Sequence, residues 1–345
     1  MTQVTNDDVE NQVALFEKIA RTALEQWDIN GQTVDITLLK YRENGVFAIR
    51  TNDAKYALRI HRPGYHSVDA LRSELQWMDA LKQAGISVPI VLPTTAGTIF
   101  ATVESDDLSQ PHHVDLFEWI DGENMDVVVE RIGGDTAAVT TLYRQVGRIA
   151  AQIHNQATAW TLPEQFTRHA WDAEGLTGNN PFWGRFWDLP LLTDDQRALL
   201  QKARAQVHRD LLAFGQSCDR YSLIHADFDQ ANLMVNGNTL QVIDFDDAGF
   251  GWHLFELATA LYFLQNEPFY DVVKEALIAG YRENRELSDE HLSHLPLFMT
   301  ARSFTYLGWI HTRPETETAQ QMGPLLIEMA CNASTDYLES AVNAD

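Results

Sequence analysis

The stretch Leu223-Ile224-His225-Ala226-Asp227-Phe228-Asp229-Gln230-Ala231-Asn232-Leu233-Met234-Val235-Asn236-Gly237-Asn238-Thr239-Leu240-Gln241-Val242-Ile243-Asp244-Phe245-Asp246-Asp247 decides the reading of this chain. Asn236-Gly237 stands between two apolar runs and predicts a hairpin, because this pair accepts the positive φ angles of a tight turn. Folding back there brings Asn232 and Asp244 to the open end of the hairpin, with Asp227 on the loop that leads into it. Three oxygen-bearing side chains then converge. Oxygen ligands at two of these positions suit Mg²⁺, which takes one or two protein groups and completes its shell with water and substrate phosphates. The remaining carboxylate is left to orient a hydroxyl and accept its proton, the division of labour that phosphoryl transfer requires. The competing reading is a set of polar residues on an ordinary loop.

Outward from this segment the chain changes character at Asp121-Gly122. Before it, Val13, Leu15, Phe16, Ile19, Ala20, Ala23, Leu24 and Trp27 recur at helical spacing within Val9 to Trp27. Val34 to Leu39, Val46 to Arg50 and Lys55 to Ile60 are β-branched or aromatic runs separated by Arg42-Glu43-Asn44-Gly45 and Thr51-Asn52-Asp53, the pattern of an antiparallel meander. Ser67 to Ala84 places Leu71, Leu75, Met78 and Leu81 on one helical face, closed by Gly85. Strand-like runs at Ile99 to Val103 and Val114 to Ile120 flank a polar hairpin loop. After Asp121-Gly122, helical periodicity runs through Ala138 to Gln156, Asp194 to Phe214, Leu254 to Leu264, Phe269 to Glu286, Leu295 to Thr312 and Leu325 to Ala341. Only Ser222 to Phe245 reads there as strand and turn. The fold class is therefore α+β, a sheet-rich first third followed by a mostly helical remainder.

Composition narrows the partners. The 345 residues are 45% hydrophobic and carry 25 Lys and Arg against 49 Asp and Glu, a net charge of −24. A chain of this length buries roughly 75% of the surface its unfolded form exposes, so its core needs no disulfide or metal staple. So negative a chain is a poor match for nucleic acid or an anionic membrane, whose phosphates call for Lys and Arg. A cationic or zwitterionic small substrate fits better. Cys218 and Cys331 show no C-x-x-C spacing, which leaves a reducing cytoplasm as the expected compartment. Asp7, Asp8 and Glu10 stand where a signal peptide would have its basic start and apolar run. Leu254 to Leu264 is half a membrane span and contains Glu256, so it reads as a core helix.

His225-x-Asp227-x-x-x-x-Asn232 followed by Ile243-Asp244-Phe245 resembles the catalytic and metal-binding motifs of the aminoglycoside phosphotransferase and choline kinase superfamily, which shares the protein-kinase fold. Within it the chain is most similar to the bacterial stress-response serine/threonine kinase and to the kinase-like type of homoserine kinase. The resemblance extends to Asp244-Phe245-Asp246-Asp247-Ala248, to Arg42-Glu43-Asn44-x-Val46-Phe47, to Ile60-His61-Arg62-Pro63 and to Ala301-Arg302-x-x-x-Tyr306. It implies a two-lobed fold with an N-lobe at 1–118, a hinge at 119–122 and a C-lobe at 123–345. It implies Asp227 as catalytic base and Asn232 and Asp244 as Mg²⁺ ligands, with His225 supporting the loop. Asp246 and Asp247 are read either as approaching the metal or the acceptor amine, or as a solvated acidic turn.

The resemblance also implies an ATP site. Arg59 stands where kinases carry a lysine on the third strand, and Glu74 on the following helix is its expected partner. Arginine there is a departure, since a guanidinium is not interchangeable with a compact ammonium; a solvent-exposed ion pair of little energetic worth is the rival reading. Glu43, Asn44 and Gly45 are expected in the turn over the phosphates, where glycine lets the backbone come close. Glu118, Trp119 and Ile120 fall at the adenine-binding hinge. Gly249-Phe250-Gly251 fails as a dinucleotide fingerprint because Leu254 stands at the third glycine's place. Trp160, Trp171, Trp183 and Trp187 lie in an insert rich in Gly and Pro, where they either pack the insert down or wall an acceptor pocket. The expected activity is transfer of the γ-phosphoryl group of ATP to a hydroxyl of a small, amine-bearing acceptor. Its alternatives are a protein Ser/Thr kinase and a nucleotide-binding pseudokinase motivated by Arg59. Oligomeric state is left open.

Overall fold

Alternating apolar residues at Phe47, Ile49, Leu58, Ile60, Val114 and Leu116 give one side of a sheet its core face, and the α+β architecture grows around it. The computed structural model describes residues 6–29, 33–41, 44–105, 108, 110–133 and 135–342. The chain divides into two compact units, Met1–Asp121 with Pro163–Thr167, and Gly122–Leu162 with Arg168–Asp345.

The first unit holds α1 (Asn6–Leu24), β1 (Thr33–Tyr41), β2 (Gly45–Thr51), β3 (Lys55–Ile60), α2 (Val68–Gln83), β4 (Ala101–Val103) and β5 (His112–Glu118). Its five strands are antiparallel in the order β1-β2-β3-β5-β4, so the expected meander is extended by a hairpin on the far side of β3. From α1, Ile19, Ala20, Ala23 and Leu24 pack against the core face, together with Trp27 just beyond the helix. Ser67 caps α2 by accepting the Ala70 N–H at 3.2 Å. The expected loop from Ser105 to His113 falls partly outside the described residues, and β5 begins two residues earlier than the apolar run implied. Segment Pro163–Thr167 belongs to this unit although its neighbours in sequence belong to the other; the Thr167 N–H donates to Ser73 Oγ of α2 at 2.9 Å.

The second unit opens with β6 (Glu123–Asn124), α3 (Met125–Ile132) and α4 (Thr136–Ala159). It continues through β7 (Ala170–Trp171), α5 (Ala173–Thr177), α6 (Asp194–Phe214), β8 (Tyr221–Ile224), β9 (Leu233–Asn236), β10 (Thr239–Val242) and β11 (Gly249–Trp252). Five helices complete it: α7 (His253–Leu261), α8 (Tyr270–Arg282), α9 (Asp289–Leu292), α10 (Leu295–Thr312) and α11 (Glu317–Val342). The expectation of strands only within 222–245 is too narrow. β7 and β8 both pair with β11, and β6 pairs with β9; strands of two to four residues joined over long sequence separations leave almost no periodic signal. Helices α4 and α8 cross closely enough that a Cβ on Gly147 would stand 2.0 Å from the Leu277 carbonyl oxygen and one on Gly280 2.0 Å from that of Arg144. The turn of the β9–β10 hairpin is centred one residue further on than expected: Asn236 pairs with Thr239, leaving Gly237 (φ +57°) and Asn238 as the two-residue loop.

Candidate active site

The loop after β8 is strained and held from two sides. Ala226 and Asp244 both adopt left-handed backbone, at φ +66° and +64°, a conformation that costs a non-glycine residue about 1–3 kcal/mol and persists only where the surroundings enforce it. The enforcement at Ala226 comes from Glu256 in the first turn of α7. Its carboxylate accepts the N–H of His225 at 2.8 Å and that of Ala226 at 2.7 Å. Burial pushes the Glu256 carboxyl up, and the backbone N–H groups of His225 and Ala226 only partly restrain it. On the other side Arg302 of α10 donates to the Ala226 carbonyl at 3.0 Å. His225 is fully buried; its Nε2 donates to the Ile243 carbonyl at 2.9 Å and its Nδ1 accepts the Asp227 N–H at 3.3 Å. It is a strut between the loop and the end of the hairpin.

Asp227 has each carboxylate oxygen assigned. Oδ1 accepts from Arg302 Nη2 at 2.7 Å, and Oδ2 from Asn232 Nδ2 at 2.8 Å. The same Asn232 nitrogen reaches the Asp227 carbonyl at 2.8 Å. Arg302 is fully buried, donates to the Tyr306 hydroxyl at 2.8 Å, and has its guanidinium carbon 4.2 Å from the Tyr306 ring centroid and 5.0 Å from that of Trp183. Burial works against its charge, but Tyr306 and Asp227 outweigh burial and hold it protonated. The Asp227 side chain keeps 25% of its surface exposed: it is oriented by protein on both oxygens yet open to a reactant.

Asn232 and Asp244 come together through the hairpin. Leu233 pairs with Val242, and the Ile243 N–H donates to the Asn232 carbonyl at 2.9 Å, which sets Asp244 one residue beyond that bond. Arg168 fixes the segment that follows, through Nε to the Ala248 carbonyl at 2.5 Å and Nη2 to the carbonyls of Phe245 and Asp246. Trp171 Nε1 donates to the Asp247 carbonyl at 2.8 Å, and Trp183 Nε1 to Asp247 Oδ1 at 3.1 Å. Three of the insert's tryptophans, Trp171, Trp183 and Trp187, are buried, so they do pack the insert down. Two of them also anchor Asp247.

In the first unit Arg59 and Glu74 form an ion pair of 2.7 Å with side-chain exposures of 7% and 0%. The solvent-exposed reading of this pair does not hold. Asp115 on β5 joins them, with Oδ2 at 2.5 Å from Arg59 Nη2, and its other oxygen accepts from His61 Nε2. Asn44 Oδ1 accepts the Arg62 N–H at 3.0 Å and Gly45 pairs with Ile60, so these two sit at one end of β3. Glu118 pairs with Tyr56 at the opposite end. Nearby the Lys55 ammonium lies 3.4 Å from the Trp119 ring centroid, and Ile120 is half-buried. Glu43 lies outside the described residues.

Asp115, His61, Arg168 and the partners of Arg302 carry structural roles that sequence reasoning did not assign. Asp115 had a signal: a lone carboxylate between Val114 and Leu116 in an apolar strand needs a buried cation.

A strained acidic loop, a carboxylate held open to a reactant and a hairpin end carrying an amide and a second carboxylate define the class, a phosphotransferase of the kinase type. The chain belongs to the Phosphotransferase enzyme family, which it matches over residues 37–289. Among curated proteins it is similar to an amicoumacin kinase of Bacillus subtilis, 25% identical over 289 residues that cover 80% of each chain. A homoserine kinase of Mesorhizobium japonicum is 23% identical over 81% of this chain and 85% of its own. Among solved structures, the microcompartment-associated aminopropanol kinase superposes with a TM-score of 0.82 at 32% identity, covering 94% of this chain and 98% of that one. The amicoumacin kinase hAmiN, solved with AMP-PNP and Ca²⁺, has the same fold, with a TM-score of 0.72 at 20% identity over 95% and 96% of the chains. Among the described residues no helix is long and apolar enough to cross a membrane.

Proposed function

We propose that the protein transfers the γ-phosphoryl group of ATP to the hydroxyl of a small acceptor that carries an amine, an amino alcohol in the first instance. The observation that carries this reading is Asp227, oriented through both oxygens by Arg302 and Asn232 and still a quarter exposed. Such a carboxylate orients an acceptor hydroxyl and takes its proton as the oxygen attacks phosphorus. The net charge of −24 and the similarity to kinases named for aminopropanol and homoserine support an amine on the acceptor.

Asn232 and Asp244 fit Mg²⁺ by their chemistry. Nδ2 of Asn232 faces Asp227, which leaves Oδ1 as the group's acceptor end, and Asp244 adds one carboxylate. Among the described residues no group of three His, Cys, Asp or Glu forms a self-sufficient metal cage, and Mg²⁺ on a nucleotide asks for only one or two protein oxygens. The ion supplies charge neutralisation on the phosphates when bound. In this reading Arg59, held by Glu74, faces those phosphates, and Glu43, Asn44 and Gly45 form the turn over them. Glu118, Trp119 and Ile120 flank the adenine, residues 119–122 form the hinge between lobes 1–118 and 123–345, and the reaction takes place in the reducing cytoplasm.

The test is ADP release from Mg²⁺-ATP with aminopropanol, ethanolamine, homoserine, serine, threonine, choline, hydroxylysine, amino sugars and aminoglycosides. An amino alcohol should turn over in the wild type and lose about 10²- to 10⁴-fold of its rate in Asp227→Asn, with nucleotide binding retained. A folded protein that binds Mg²⁺-ATP and phosphorylates none of these overturns the reading.

A further inference from the structure

Arg59 and Asp115 are a cross-strand pair. The register of β3 on β5 sets them opposite each other, so both side chains leave the sheet on one face. Asp115 Oδ2 accepts from Arg59 Nε at 3.2 Å and from Nη2 at 2.5 Å, while Nη2 also reaches Glu74 Oε1 at 2.7 Å. The Phe117 ring, two residues beyond Asp115, lies 5.3 Å from the guanidinium carbon. Asp115 Oδ1 is held in turn by His61 Nε2, and Arg59, His61, Glu74 and Asp115 are all buried.

This arrangement is what an arginine needs and a lysine does not. An ammonium is a point charge that one carboxylate can hold; a guanidinium is a plane whose direction depends on which edge is bound. One carboxylate on Nη2 alone would leave that plane free to turn about the bond. Asp115, bridging Nε and Nη2, removes this freedom. A second buried carboxylate is costly unless its charge is met. Burial raises the Asp115 carboxyl, but His61 and Arg59 beside it more than compensate and hold it below the usual carboxylate range, so it remains ionised.

We propose that Asp115 is a positioning residue for nucleotide binding: it fixes the plane of the Arg59 guanidinium so that arginine serves at a position suited to lysine, and His61 holds Asp115 in place. The inference rests on the reading of Arg59 as the cation that faces the nucleotide phosphates. It makes Arg59 and Asp115 an interdependent pair, since a lysine at position 59 held by Glu74 has no Nε–H to offer the Asp115 Oδ2 that the guanidinium meets.

The experiment compares Arg59→Lys, Asp115→Asn, the double variant and His61→Gln with wild type. Its readouts are the affinity for a fluorescent Mg²⁺-ATP analogue, KM for ATP against kcat, and the melting temperature. Asp115→Asn should weaken nucleotide affinity about tenfold with kcat within about threefold, as expected for loss of a charge-assisted contact that spans Nε and Nη2. Arg59→Lys should lose a similar factor. The double variant should bind at least as tightly as Arg59→Lys alone, because the Asp115 oxygen that had lost its guanidinium no longer carries a charge. Penalties that multiply, or an Asp115→Asn protein that folds and binds nucleotide like wild type, overturn the proposal. Should Asp115→Asn not fold, His61→Gln decides: a rise of about threefold in KM for ATP at unchanged melting temperature supports positioning, and an unchanged KM overturns it. Wild-type binding separates the two readings. Nucleotide bound without turnover of any acceptor defeats the proposed activity and leaves the pair testable by affinity, whereas no nucleotide binding by wild type defeats both.

Discussion

Arg302 and Asp227 meet at 2.7 Å, the arginine fully buried on α10 and the aspartate side chain a quarter exposed. One guanidinium holds the proposed base, the Ala226 carbonyl behind it and the Tyr306 hydroxyl, so the position of the carboxylate is set from the helical core. Arg302→Lys keeps the charge and loses the fork. Its kcat should fall about 10- to 100-fold while KM for ATP stays within about twofold, because the change acts on the orientation of the reacting group. Steady-state kinetics with ATP and acceptor varied in turn checks this.

Glu256 faces two donors and carries no donor of its own when ionised. Glu256→Gln turns an amide nitrogen toward one of those N–H groups, and a buried donor left facing a donor costs about 1–3 kcal/mol. The variant should melt several degrees lower and lose turnover, since the strain at Ala226 is no longer restrained. A melting curve matching wild type would count against Glu256 as the restraint.

A pair of stacked histidines predicts how stability follows pH. His154 and His253 are buried with ring centroids 4.2 Å apart; His154 bonds to the Tyr281 hydroxyl and His253 to Ser222 and the Asp219 carbonyl. Burial drives both rings well below the usual value of 6.5, and each is further lowered by nearby positive groups. The unfolded chain therefore binds more protons than the folded one between the lowered values and 6.5. The stability these rings contribute is present in full above pH 6.5 and declines as pH falls through that window, by up to about 1.4 kcal/mol per pH unit for each ring. Glu256, shifted upward, acts in the opposite sense. Melting temperatures from pH 7.5 to 5 should fall more steeply for wild type than for His154→Gln; parallel curves would refute the assignment.

Asp244 supplies the only carboxylate of the proposed metal pair. Asp244→Asn should raise the Mg²⁺ concentration for half-maximal rate at least about tenfold and leave the melting temperature of the metal-free protein nearly unchanged. Titration of activity against free Mg²⁺ at fixed ATP, with a chelator blank, measures this.

The hairpin and the meander were legible because their signals are local: apolar alternation, an Asn-Gly pair, and polar residues at fixed distances from both. The α+β class and the kinase-like family followed from them. What escaped was non-local. Asp115 lies 56 positions from Arg59, and Arg302 lies 75 from Asp227, so no window that reveals periodicity contains either pair. Strands β7 and β11 pair over only two residues, too few to alternate. The turn register moved by one residue because Asn236 was free to join the strand once Gly237 took the positive φ angle.

Asn232 gives the proposed site an economy that a carboxylate could not. Its amide has two unlike ends, a nitrogen spent on Asp227 and an oxygen pointing elsewhere on the same rigid plane. Rotating that plane to improve one end spoils the other. Aspartate at this position would confront Asp227 with a like charge, and leucine would fill the space with no polar end at all. In the proposed reading, proton acceptance and cation binding are thus tied to the orientation of one amide plane.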